Sequence, residues 1–330
     1  MYVKPIARPA HLCQYEALQR RLRAGPVQEE IHSLLKRALA GYRGEQSMAY
    51  PLSYLDDKFR VFHNLRLSDH VHHFQIDFLI LCSRFALILE VKNIAGKLTF
   101  DTGLHQLIRR SLNGTDIFDD PFTQANALME ALDGWLGEQE TQLPLVARVV
   151  VASAAELQAT DHQHPDIQQL VRRACLRKEL QQLDRNHTHE ALSDNALRQL
   201  SDTLVAADEP WVINPFRSFA LKPTDIMSGV YCLTCNKLNM IRDKRDWLCR
   251  SCGAKTKNLP ALAAALQDYR LIFGSTITNK QCREFLQLDS DIAARRVLHT
   301  VAERYCGENK GRVYKLPTDC LSKIRNDRYN

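Results

Sequence analysis

The stretch from Gln75 to Asn93 constrains this chain more than any other. It holds two apolar runs, 76–81 and 85–91, rich in the residue types that fill buried strands, parted by the short break Cys82-Ser83-Arg84. A β-hairpin follows. Apart from Arg84 in the break, Asp77, Glu90 and Lys92 are the charges near these runs. A turn centred between Ser83 and Arg84 makes Asp77 and Glu90 cross-strand partners. Directly opposed residues have Cβ atoms roughly 4.5–5.5 Å apart, where like charges repel. At about 5 Å and an effective dielectric near 20, the repulsion is on the order of 3 kcal/mol. A divalent cation removes it, and oxygen ligands with open positions suit Mg²⁺ or Mn²⁺. Alternation puts Lys92 on the same face as Glu90, roughly 6.6 Å along. There its ammonium can orient a water or balance a developing negative charge. Two carboxylates and a lysine on one sheet face describe a metal-dependent phosphodiesterase site. A buried Glu90–Lys92 ion pair, or charges at strand ends that reach water, is the structural alternative.

The 330 residues suit two or three domains, and 45% hydrophobic with 25% charged residues is ordinary for a globular core. No apolar run approaches the roughly 18–20 residues that span a membrane, and the first residues lack the apolar segment of a secretory signal. A cytoplasmic protein with no membrane partner is expected. Of ten cysteines, four form a metal-type cluster. The other six (Cys13, Cys82, Cys175, Cys282, Cys306, Cys320) are scattered as reduced thiols are. Charge is unevenly placed. Residues 230–330 carry 19 Lys and Arg against 10 Asp and Glu, whereas residues 1–229 carry 25 against 28. A basic third suits either a polyanion or an ordinary solvated surface.

Residues 11–40 read as two helices around the Gly25-Pro26 break, the second ending at Gly41. A short helix carrying Met48, Leu52 and Leu55 is disturbed by Pro51, and 59–67 looks like a strand leading into the hairpin. Strands are expected at 96–100 and 104–110, the latter continuing the sheet or returning across it. Asp120-Pro-Phe-Thr-Gln124 opens an amphipathic helix, and 145–152 is a further buried strand. Residues 153–209 read as polar and mostly helical. The histidine groups His70/His72/His73, His162/His164 and His187/His189 lack acidic or cysteine partners at supporting spacing and read as exposed loop residues.

Cys232-Leu-Thr-Cys235 and Cys249-Arg-Ser-Cys252 are two chelating Cys-x-x-Cys turns thirteen residues apart, the spacing of a closed tetrahedral Zn²⁺ site in a ribbon of two small hairpins. Four thiolates leave no open position, so this zinc is architectural and replaces a core that so short a segment cannot build. Beyond it, two short helices with a tight turn at Leu288–Asp289 and a final strand suggest a helix-turn-helix with a wing-like hairpin. Its second helix presents Arg295 and Arg296 to DNA phosphates or to solvent.

Gly41-x-x-Gly44-Glu45, Phe74-Gln-Ile-Asp77, Glu90-Val-Lys-Asn93 followed by Gly96-Lys-Leu, and Asp-Pro-x-x-Gln124 resemble the NERD (nuclease-related domain) family over roughly residues 38–150. That family is grouped with the PD-(D/E)xK, restriction-endonuclease-like nucleases. The ribbon and tail look like the C-terminal region of bacterial NERD proteins. The resemblance implies an α/β fold, a restriction-endonuclease-like mixed sheet flanked by helices, here with a zinc ribbon and a helix-turn-helix-like C-terminal domain. It implies Mg²⁺ (or Mn²⁺) held by Asp77 and Glu90, Lys92 assisting the attacking water, Glu45 arriving from the preceding helix, and Gln124 lining the site from the following one. Asp120 stands where the family usually has asparagine, and Glu29 and Glu30 are rival sources of the helical glutamate.

The expected organisation is an N-terminal helical segment 1–40, a nuclease-like domain 41–220, a zinc ribbon 221–259 and a C-terminal domain 260–330. The expected function is metal-dependent hydrolysis of nucleic acid, DNA before RNA, with a possible protein partner at the C-terminal domain. A nucleic-acid-binding or adaptor protein whose nuclease-like domain no longer cuts is the alternative.

Overall fold

A computed structural model of the chain describes residues 2–112, 114–244 and 246–322, so the last eight residues of the expected C-terminal domain lie outside the described residues. Contacts divide the chain into two units, each made from two separate segments: Met1–Pro9 with Arg37–Trp211, and Ala10–Lys36 with Val212–Asn330. In chain order the elements begin with β1 (Tyr2–Lys4), α1 (Ala10–Arg21), α2 (Pro26–Ser47), the one-turn α3 (Ala49–Leu52), β2 (Arg60–Ser68), β3 (His73–Leu81) and β4 (Ala86–Lys92). Then come β5 (Lys97–Asp101), β6 (Gln106–Ser111), β7 (Gly114–Asp119), α4 (Pro121–Glu138), β8 (Leu145–Val151), β9 (Glu156–Ala159), β10 (Leu170–Arg172), α5 (Leu176–Asn186) and α6 (Asp194–Ala206).

The first unit is organised on a six-stranded mixed sheet of order β1-β2-β3-β4-β8-β10. β3 runs antiparallel to both its neighbours β2 and β4, and β1, β8 and β10 add parallel pairings. Strands with apolar residues on both faces must be covered on both. Phe122, Leu132 and Trp135 of α4 and Leu197, Leu200 and Leu204 of α6 cover one face; Leu176, Leu180 and Leu183 of α5 with Met48 and Leu52 cover the other. The expected hairpin forms, with Cys82 N–H closing its turn on the Phe85 carbonyl at 3.1 Å.

Alternation fails in one place. Phe62 faces the first core with Leu65 and Leu67, and Ile76 faces it with Leu79 and Leu81, whereas Phe78 and Ile80 face the second. The switch of parity falls at Asn64 and Asp77, which the β2–β3 register places opposite each other and where its ladder of pairs is interrupted. Asn64 has φ +52°, a left-handed conformation that rotates a strand and that asparagine tolerates better than most residues.

Several expectations are corrected. The second helix does not end at Gly41 but runs on to Ser47, so Glu45 lies on it, and Pro51 sits in the separate turn α3 and leaves that helix undisturbed. Segments 97–101 and 106–111 do not extend the main sheet. They build a second one, β7-β6-β5-β9, whose Leu98, Phe100 and Leu107 join the first core. Gly96 opens it with φ +113°, and a Cβ there would meet the Arg110 carbonyl at 2.7 Å, so only glycine fits. Residues 153–209 are less helical than their composition suggests, because β9 and β10 complete both sheets.

The second unit adds the one-turn α7 (Pro215–Ser218), β11 (Met240–Asp243), β12 (Asp246–Cys249), β13 (Lys255–Lys257), α8 (Asn258–Phe273), β14 (Thr276–Thr278), α9 (Asn279–Leu286), α10 (Asp291–Val301), β15 (Arg304–Cys306) and β16 (Val313–Lys315). α1 packs against α8. The link is a buried ion pair: Arg21 Nε and Asp268 lie 2.8 Å apart with both side chains fully buried, and Arg20 reaches the other carboxylate oxygen at 2.7 Å. β11–β13 form a three-stranded antiparallel sheet in which the two expected hairpins share β12. The C-terminal part is a helix-turn-helix of α9 and α10 braced by α8, with a wing made by β15 and β16 on an antiparallel sheet of order β14-β16-β15. Thr278 and Gln281 form a capping box that starts α9, left-handed Gln287 ends it, and Ser290 caps α10.

Candidate functional site

The site begins where the hairpin ladder stops. Pairs run from Leu81 opposite Ala86 to Phe78 opposite Leu89, and one further step of the same register puts Asp77 opposite Glu90. That pair is not part of the ladder. Asp77 instead turns its carboxylate across the gap, and Oδ2 accepts the Val91 N–H at 2.8 Å. With pairing interrupted on both flanks of Asp77, its side chain is free to lie among the neighbouring charges. Burial, then Glu90 and then Glu45, drive the Asp77 carboxyl well above its ordinary range, outweighing the Val91 hydrogen bond and the Lys92 charge.

Lys92 and Glu90 share a face as alternation requires. The Lys92 ammonium donates to Glu90 Oε1 at 2.7 Å and to Gln124 Oε1 at 2.6 Å. Gln124 is brought there by the first turn of α4. Asp120 accepts N–H bonds from Phe122 and Thr123 and Pro121 occupies the first helical position, so aspartate does the capping that asparagine would do. The Glu90–Lys92 pair offered as a purely structural alternative is therefore present, but it is a three-membered group with Gln124 beside a destabilised carboxyl, at 14% and 18% side-chain exposure.

Glu45 arrives on α2, and Glu29 and Glu30 are exposed in that helix's first turn. Its approach depends on Gly44. A Cβ at Gly44 would lie 2.5 Å from the Asn93 Cβ, and Asn93 Nδ2 donates to the Ala40 carbonyl at 2.7 Å, tying the helix to the end of β4. Gly41 is different, since a Cβ there meets nothing closer than Glu45 Oε1 at 3.9 Å. Two substitutions three residues apart should therefore act in opposite directions. Gly41→Ala should stabilise by about 0.5–1 kcal/mol through helix propensity. Gly44→Ala should cost about 1–3 kcal/mol by overpacking and shift Glu45. Thermal melts of the two variants check this, and equal melting temperatures would refute it.

His63 joins this group although its sequence context did not single it out. It is 1% exposed on β2, and its Nε2 lies 2.7 Å from Glu45 Oε2. Its Nδ1 accepts the Ala7 N–H at 3.4 Å, so the tautomer carrying hydrogen on Nε2 donates to Glu45 and fixes its rotamer. The available signal was a histidine next to the apolar pair Val61-Phe62 in a strand, overshadowed by the clustered histidines. Of those, His73 pairs with Glu209 at 2.8 Å and His164 caps a 3₁₀ turn.

Among the described residues, the four cysteines form the one set of three or more potential ligands whose donor atoms all lie within 4.8 Å of one another; Glu45, Asp77 and Glu90 are not drawn together in that way. Cys232 and Cys252 sulfurs are 3.7 Å apart and Cys235 and Cys249 sulfurs 3.6 Å. Bonds of about 2.3 Å in a tetrahedron require edges near 3.8 Å, so the fit to Zn²⁺ is close. Thr234 and Ser251 N–H groups donate to Cys232 and Cys249 sulfurs at 3.4 and 3.3 Å. Burial raises the Cys249 thiol, and N–H bonds from Cys252 and Ser251 outweigh it, holding it down to about 6. Cys252, although its bond from Ala254 lowers it, is pushed up to about 12 by burial and the other cysteines, as expected of thiols that share one space. The carboxylate site fits a different ion. Two acid side chains with room for water are the usual protein share of a Mg²⁺ site.

Residues 40–153 match the family model described as nuclease-related domain (NERD), about a third of the chain. The matched segment contains Glu45, His63, Asp77, Glu90, Lys92 and Gln124. The searches of curated proteins and of solved structures returned no match. No helix among the described residues is long and apolar enough to cross a membrane.

Proposed function

We propose that this protein is a metal-dependent nuclease of the PD-(D/E)xK type that hydrolyses phosphodiester bonds, with DNA as the substrate. The observation that carries the reading is the opposition of Asp77 and Glu90 just past the end of a buried ladder, with Lys92 held between Glu90 and Gln124 inside the nuclease-related segment. Asp77 and Glu90 would hold Mg²⁺ or Mn²⁺, which when bound supplies Lewis-acid polarisation of the phosphate and a lowered pKa for water. Glu90 and Gln124 occupy two N–H directions of the Lys92 ammonium, leaving the third to donate to an attacking water or to the phosphate oxygen that gains charge. Glu45, immobilised by His63, accepts a hydrogen bond from the water and orients it. Zn²⁺ on Cys232, Cys235, Cys249 and Cys252 is structural, and the protein works in the cytoplasm. The nuclease-like domain ends near residue 220, with the ribbon at 221–259 and the C-terminal domain after it.

The test is cleavage of single- and double-stranded DNA and RNA with Mg²⁺, Mn²⁺ or a chelator, comparing wild type with Glu90→Ala. Metal-dependent cutting of DNA, lost by at least about 10²-fold in the variant, is the expected result. Absence of cutting under every condition, with Mg²⁺ failing to raise the melting temperature, would leave a nucleic-acid-binding or adaptor protein instead.

A further inference from the structure

The second unit carries cations that belong to three different elements yet form a continuous strip. On the zinc sheet, Arg242 lies over the Trp247 ring, its guanidinium 5.6 Å from the ring centroid, and both line one cleft. That cleft, of about 350 Å³, is bounded on its other side by Ser290, which caps α10, and by Arg296 in the middle of that helix. Along α10, Ile292, Arg295, Arg296 and His299 are exposed, while Ala294, Val297, Leu298 and Val301 are buried. Spacings of three, four and seven residues place the exposed group on one helix face. His299 contacts Tyr305 of the wing edge-on at 5.1 Å, and Arg312 lies 4.6 Å above that tyrosine. The strip thus runs from the zinc sheet over α10 to the wing.

Acidic groups flank it as well: Asp243 and Asp246 of the zinc sheet pair with Lys255 and Lys257, and Glu303 is exposed just before the wing. Asp289 lines the cleft, Asp291 sits 3.8 Å from Arg295, and Glu308 is exposed beside the wing.

We infer that this strip is a binding surface for duplex DNA, with α10 entering the major groove and Arg296, the zinc sheet and the wing holding the flanking phosphates. The inference takes its partner class from the proposed function and adds the form of nucleic acid and the surface that grips it. An eleven-residue helix is about 16 Å long and of a width the major groove admits. Single-strand binders present open aromatic platforms for stacked bases. Here Trp247 is 6% exposed and the face of Tyr305 is taken by Arg312. A protein partner would favour an interface core depleted in charge, whereas this face has one exposed aliphatic residue, Ile292, among cations.

The experiment is a fluorescence-anisotropy titration of the full chain carrying Glu90→Gln, so that cleavage does not consume the probe. The probes are a 25-base-pair DNA duplex, its single strand and the matching RNA duplex, over a range of salt. The DNA duplex should bind at least about ten-fold tighter than either alternative. Arg296→Ala with Arg312→Ala should weaken it about ten-fold or more and make the slope of log affinity against log salt shallower by about 2, one for each lost phosphate contact. Lys178→Ala, an exposed cation on α5, should change neither. Circular dichroism and zinc content establish that the variants are folded, and Arg296→Glu alone provides a second variant, expected to weaken binding further than Arg296→Ala. Equal or tighter binding of single strand or RNA duplex, or an unchanged salt slope in the double variant, overturns the inference. Duplex binding by a wild-type chain that cuts nothing would sink the nuclease and leave the strip standing; cutting that persists with binding indifferent to Arg296 and Arg312 would do the reverse.

Discussion

Asp77→Asn should abolish cleavage and at the same time make the cation-free protein harder to melt at neutral pH. Both effects come from the same environment. Burial, Glu90 and Glu45 raise the Asp77 carboxyl well above its ordinary value of 3.8. The folded state therefore binds this proton more tightly than the unfolded state does. Stability rises with pH only where the unfolded state holds more protons, so here the sign is negative. The loss begins as pH climbs past the ordinary carboxylate range and continues until pH passes the raised folded value. The asparagine side chain keeps an oxygen for the Val91 N–H while removing the ionisation. The melting temperature should rise by about 2–4 °C for each kcal/mol recovered, and its decline as pH climbs past the ordinary carboxylate range should flatten. Cleavage should fall by at least about 10²-fold, because one of two carboxylates proposed to hold the cation is gone. Melting curves across that pH range and a cleavage assay decide it. A variant that cuts, or one that melts lower at every pH, would show that the site is assigned wrongly. By the same repulsion, Mg²⁺ should stabilise wild type and release a proton on binding.

Removing zinc should have the largest structural effect. β11–β13 have three or four residues each, and their buried apolar residues amount to little beyond Met240 and Trp247. A sheet of that size cannot stand on burial alone, and structural zinc in comparable small modules contributes about 10–16 kcal/mol to folding. Dialysis against a strong chelator should expose four additional reactive thiols and shift Trp247 emission to longer wavelength, with recovery on adding Zn²⁺. Cys249→Ser should reproduce the loss. A protein that contains no zinc as purified, yet keeps Trp247 shielded, would contradict the assignment.

The parts of the molecule legible in sequence are those governed by short spacing. The turn at Cys82–Arg84 fixed the hairpin register, Glu90 and Lys92 fell on one face by alternation, Asp120 marked a helix start, and the two Cys-x-x-Cys turns converged. What escaped depends on partners distant in the chain. Gly41 and Gly44 look like helix breakers, yet α2 passes through both, because tertiary packing against Asn93 asks for a missing side chain rather than a bend. His63 reads as one more histidine until Glu45 and Ala7 appear on its two ring nitrogens. The interruption at Asn64 and Asp77 leaves the pairing register the same on either side, so nothing in the length of the two strands announces it. The second sheet was hidden because β5 takes as its parallel neighbour β9, a four-residue strand more than fifty residues later.

The buried Arg21–Asp268 pair sets a timetable for biosynthesis. The second unit joins Ala10–Lys36 to Val212–Asn330, so α1 leaves the ribosome long before α8, the helix it packs against, exists. At about 5–20 residues per second, the intervening stretch takes roughly 10–35 s to translate. Throughout that interval Leu12, Tyr15 and Leu18, all buried in the finished fold, have nothing to pack against. A nascent chain with such a waiting helix is a natural client for a holding chaperone. Expression fragments that stop near residue 220 would freeze it in the waiting state, and their yield should improve when residues 10–36 are removed with the C-terminal segment.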